Sequence, residues 1–150
     1  RALVLDAPLR QRFAAIAFGS EYSGGDRLVT WCDPVTVEVR GAPNRADLEQ
    51  VRRVVHELDE LLLDTEVRLV DGGGRLVVTF ADADGFARLA PARARHNAGY
   101  FRITWDPVRH AVTRARVLVR IGVEQALRDH VVREEITQCL GLMRDVPAPG

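Results

Sequence analysis

The stretch EEITQCLGLMRD, residues 134–145, puts two adjacent glutamates and a glutamine inside the most apolar helical run of the chain. At about 100° per residue, His130, Glu134 and Gln138 fall on one helical face, with Glu135 beside them. Carboxylates in such a run need hydrogen bonds, an opposite charge, a proton or a metal to offset their desolvation. Two of them side by side are expected to titrate apart, leaving one ionised base and one protonated acid, the pairing that general acid–base chemistry uses. The same residues serve equally as a structural network in which arginines or backbone amides satisfy the glutamates.

The spacing resembles HExxH, in which two histidines four residues apart bind zinc and the intervening glutamate activates the bound water. Aligned on it, Glu134 and Gln138 take the ligand positions and Glu135 takes that of the general base. Metzincins continue as HExxHxxGxxH; here Gly141 holds the glycine position, Arg144 replaces the third histidine and Asp145 follows. A glutamate, a glutamine and an arginine make a poor zinc site, so tight zinc is not expected and no cofactor is assigned. Glu134, Gln138 and His130 remain weak metal candidates, because a harder cation needs more oxygen ligands than this helix supplies.

More closely, the chain resembles an uncharacterised bacterial family, the domain of unknown function 2927, whose members carry EELxQxLGLxND. The likeness covers FAAIAFGSEY, RLVTWCDPVTVEVRG, RARVLVRIG and REEITQCLGLMRD. It implies a zincin-like domain of an exported protein, either a peptidase-like hydrolase with a degenerate site or an inactive scaffold that binds peptide or protein. Glu134, Glu135 and Gln138 are then the site residues, with Arg144 and Asp145 as weaker choices. Family members continue beyond the motif, so residues 1–150 are expected to form one domain lacking a C-terminal completion. A start at Arg1 likewise suggests a piece of a longer chain.

The motif needs elements to hold it, and the expected architecture is α+β, with a mixed twisted sheet of about five strands packed by a long helix and a buried motif helix. A first helix is expected over Pro8 to Phe18. VTVEVRG alternates as a strand. Asn44 caps a long amphipathic helix, with Asp47 at its positive end and a stripe running from Leu48 to Leu62. EVRLV and RLVVTF flank Asp71-Gly72-Gly73-Gly74 and are expected to pair as a hairpin. The β-branched Val77, Val78 and Thr79 after the glycines argue against a phosphate loop, which needs a helix there. ADADGF lacks the later ligands of a calcium loop and caps a short helix instead.

GYFRITWD and TRARVLVRIG read as two further strands. In the second, Arg114, Arg116 and Arg120 oppose Ala115, Val117, Val119 and Ile121. Arg116 and Arg120 are therefore candidates to grip an acidic or extended ligand by pairing at a sheet edge, against the plainer reading of a solvated face. The spread of apolar residues between Gly122 and Gly141 predicts a helix buried nearly all round.

The composition narrows the partners. Arginine supplies all 21 basic residues, 21 acidic residues balance them, and this neutrality argues against a general nucleic-acid binder. No apolar run approaches the roughly 20 residues of a membrane span. Cys32 and Cys139 leave two alternatives open, one disulfide or two unpaired buried thiols.

Overall fold

The computed structural model describes residues 29–141, together with Ala7. The helix expected over Pro8–Phe18, and Arg144 and Asp145, lie outside the described residues.

In chain order the elements are β1 (Val35–Gly41), α1 (Arg45–Leu61), β2 (Val67–Leu69), β3 (Leu76–Ala81), α2 (Ala83–Leu89), β4 (Gly99–Asp106), β5 (Ala111–Arg120) and α3 (Gln125–Gln138). The strands form one sheet in the order β2-β1-β3-β5-β4, parallel throughout except for β4. The α+β class and the five-stranded mixed sheet agree with the expectation.

Strand alternation sorts the side chains onto two faces. Val35, Val37, Leu76, Val78, Phe80, Val117 and Val119 point to one face, where Val51 and Val54 of α1 and Val132 and Ile136 of α3 complete the main core. Each fully buried side chain of this size contributes about 2 kcal/mol. On the opposite face α2 covers one end only, packing Phe86 and Ala90 against Leu118.

α1 starts where its cap predicts. The Asn44 side chain accepts from the Asp47 amide, and the Asp47 carboxylate accepts from the Asn44 amide, so two of the helix's orphan donors are satisfied reciprocally. α2 is likewise capped by Asp82, whose carboxylate accepts from the Gly85 amide at 2.7 Å, the role expected for ADADGF. The expected stripe of α1 continues through Leu58 to Leu62, both partly buried against the core, whereas Leu61 is exposed.

The hairpin reading of Asp71–Gly74 is overturned. β2 and β3 do not pair; both lie parallel to β1, one on each side, with Leu69 and Leu76 both registered on Val37. The link therefore crosses over β1, held by Gly74 N–H donating to Glu38 and Arg75 N–H donating to Thr36 Oγ1. A Cβ at Gly74 would stand 2.5 Å from Glu38 Cβ and 2.8 Å from its amide nitrogen, so only glycine lets the backbone pass so close. A run of glycines serves a hairpin and a close crossing equally well, and only the partner strand distinguishes them.

Edge pairing by the arginine strand is overturned as well. β5 is interior, its backbone taken up by β3 and β4, and β4 forms the edge. The expected all-round burial of α3 is also corrected. Val131, Val132, Ile136 and Gln138 are buried, but His130 and Leu127 are exposed and Glu134 and Glu135 are half-buried. No helix among the described residues is long and apolar enough to cross a membrane.

Candidate functional site

α3 is held at both ends by groups far away in sequence. At its N-terminal end a polar cluster joins it to α1: Gln125 donates to Asp47 and Asp129, Asn44 donates to Gln125, and Gln50 donates to the Asp129 carbonyl. Arg128 reaches into this cluster with Nε 3.2 Å from Asp47 Oδ1, donates to the Ile121 carbonyl and is itself buried. A second ion pair, Arg133 with Glu57, ties the middle of α3 to α1. The Arg133 guanidinium holds the Glu57 carboxyl below the usual glutamate range.

At the C-terminal end the Trp31 indole donates to the Cys139 carbonyl at 2.8 Å, satisfying one of the orphan carbonyls of the helix. Gly141 then turns the chain with φ +108°, and a Cβ there would fall 2.2 Å from the Val29 carbonyl oxygen. The glycine of the motif thus has a physical reason: positive φ and a close approach of two backbones.

Between these anchors, Glu134, Glu135 and Gln138 open into a cavity of about 410 Å³, walled on the other side by Gly99, Tyr100 and Phe101 of β4. The structure therefore brings the three residues together against the edge strand of the sheet. His130 lines the same cavity and lies 3.3 Å from Glu134 Oε2. Glu135 rests on the first residue of β4, where a Cβ at Gly99 would stand 2.7 Å from Glu135 Oε1. Gly99 is a site residue that the sequence reading missed. Its signal was available, since a glycine within a strand pattern often marks a close approach.

The donor set does not suit zinc. Among the described residues no group of three histidines, cysteines, aspartates or glutamates could hold a metal, and Gln138 occupies a position where HExxH has histidine. The cysteines are not bridged: Cys32 is exposed and Cys139 buried. Burial, with the nearby Glu135 charge, pushes the Cys139 thiol well above the ordinary thiol range, which makes it unreactive.

The two arginines expected to bind ligand separate. Arg116 is exposed and lines a second cavity on the opposite sheet face, whereas Arg120 stacks over the Phe86 ring, 5.7 Å from its centroid.

Comparison with known proteins finds one family model, Protein of unknown function (DUF2927), which matches residues 6–149. No curated protein and no solved structure matches the chain.

Proposed function

The chain belongs to the DUF2927 family of proteins of unknown function, and from that premise we propose that it is a peptidase-like hydrolase of zincin-like architecture with Glu135 as its general base. The observation that carries this reading is the meeting of Glu134, Glu135 and Gln138 with the edge strand β4 across one cavity. An extended peptide can add to such an edge through main-chain hydrogen bonds, which lays its carbonyls along the motif helix. The order of elements supports the likeness: a long helix, a mixed sheet, an antiparallel edge strand and then the motif helix.

In this reading the Glu135 carboxylate removes a proton from a water held by Glu134 and Gln138, and the water oxygen attacks the peptide carbonyl. The Gln138 amide donates to the developing oxyanion. The proton passes to the leaving nitrogen as the C–N bond breaks, giving a carboxylic acid and an amine. No step is routed through a metal: among the described residues no group of three histidines, cysteines, aspartates or glutamates could hold one.

A second reading, a peptide-binding domain without turnover, draws on the restraint of both carboxylates. Glu134 is engaged by His130 and Glu135 packs on Gly99. Incubation with a peptide library, read by mass spectrometry alongside affinity capture, separates the two. The hydrolase reading expects cleavage by the wild type and binding without cleavage by Glu135→Gln. Capture by both proteins with no cleavage establishes the second reading, and absence of both capture and cleavage overturns both.

Two further parts of the reading rest on the family likeness: that residues 1–150 form one domain, and that the protein is exported. A single cooperative unfolding transition supports the first, and two separable transitions reject it. Recovery of the full-length protein from outside the cytoplasm of the cells that make it supports the second, and purely cytoplasmic recovery rejects it.

A further inference from the structure

The sheet face opposite α1 and α3 concentrates positive charge on a chain whose formal net charge is zero. Arg114 and Arg116 project there from β5, and Arg102 on β4 is registered directly across from Arg116. Like charges facing each other on neighbouring strands repel, so this pair is unfavourable unless an anion lies between or above it. Arg102, Arg114 and Arg116 are exposed, and among the described residues none of the three has an ion pair or side-chain hydrogen bond.

Together with Arg40 and Arg75 these residues line a cavity of about 470 Å³, and no lining residue is acidic. Two neighbouring carboxylates are already committed. Glu38 accepts from Arg40 and from the Gly74 amide, and Asp33 pairs with Arg75, which also stacks over Trp31 at 5.4 Å. Val77 and Leu118 add apolar surface, and Thr79 and Thr104 add hydroxyls. The volume is that of a small-molecule site rather than an open track for a polymer.

We propose that this cavity binds a compact polyanion of small-molecule size carrying several phosphate or carboxylate groups, with Arg102, Arg114 and Arg116 as its principal contacts. Planar guanidinium groups pair bidentately with either chemistry, and bound anion would convert the repulsion between Arg102 and Arg116 into a shared attraction.

Titration calorimetry of the whole chain at low ionic strength, with pyrophosphate and with citrate as probes, tests the site. Saturable one-site binding of at least one probe is expected. Binding of pyrophosphate alone assigns phosphate chemistry, and binding of citrate alone assigns polycarboxylate chemistry. The double substitution Arg102→Gln/Arg116→Gln should weaken the binding roughly tenfold or more, while raising the melting temperature of the ligand-free protein by relieving the repulsion. Circular dichroism checks its folding, and Arg114→Gln provides an independent second variant. Three results overturn the proposal: no saturable binding of either probe, an affinity unchanged in the folded variants, or binding seen only with RNA.

Discussion

Glu135 lies directly on Gly99, the first residue of the edge strand, so closely that a methyl group at Gly99 would meet both Val131 Cγ1, at 2.3 Å, and Glu135 Oε1, at 2.7 Å. This contact fixes where the carboxylate stands relative to a strand that a peptide would pair with. Gly99→Ala should therefore displace Glu135 and strain the packing of α3 on β4, costing about 1–3 kcal/mol as an overpacked site does. Urea denaturation measures the stability, and peptide capture or cleavage should fall with it. An unchanged denaturation midpoint would show that the helix yields freely at this point.

The buried Asp47–Arg128 pair joins the start of α1 to the first turns of α3. Asp47→Ala removes a capping acceptor and leaves Arg128 buried without its counter-charge, and a loss of roughly 3–5 kcal/mol is expected. Arg128→Met should cost a similar amount by stranding Asp47. The double substitution should cost clearly less than the sum of the two, a coupling that equilibrium unfolding of all four proteins reads directly. Simple additivity would mean that the two charges are solvated independently.

Acid should destabilise the fold in a defined way. Glu38 is held below the usual carboxylate range first by Arg40, Glu57 first by Arg133, and Asp106 first by the Arg109 amide. A carboxyl depressed in the folded state adds stability above its unfolded pKa, about 4, and loses it as pH falls through the lower folded value. The urea midpoint should thus stay level near neutrality and decline below about pH 4. Arg133→Gln should flatten part of that decline by releasing Glu57, and a pH profile identical to the wild type would show that this pair contributes nothing.

Thiol chemistry should distinguish the two cysteines. Cys32 is exposed and Cys139 is buried with its thiol held protonated. Alkylation of the native protein at mildly alkaline pH should modify Cys32 alone, and both should react in denaturant, as read by mass spectrometry. Rapid native labelling of Cys139 would mean that the end of α3 opens readily.

How much of this was legible in the sequence depends on range. Asn44, Asp47 and the stripe from Val51 to Val55 announce α1, because caps and helical periodicity are local. The alternation of Ala115, Val117 and Val119 against Arg114 and Arg116 likewise announces β5 and its two faces. Strand neighbours are not local. Nothing within Asp71–Gly74 says that β1 lies between β2 and β3, or that β5 is interior while β4 is the edge. For the candidate site, helical spacing brought Glu134, Glu135 and Gln138 together, but the wall they face comes from β4 and was not visible from the motif. Arg102 shows the same limit: it stands in the polar phase of FRIT, and its significance appears only once β4 is registered against Arg116.

The clamp that Trp31 places on the Cys139 carbonyl spans 108 residues of sequence. Contacts of such separation close large loops and form only after the intervening chain has been brought together, which slows their appearance during folding. The geometry at the end of the motif helix therefore depends on a residue that stands before the first strand of the sheet. A fragment that begins after Trp31 or ends before Cys139 cannot make this contact, so the setting of Glu134, Glu135 and Gln138 belongs to the chain that spans both.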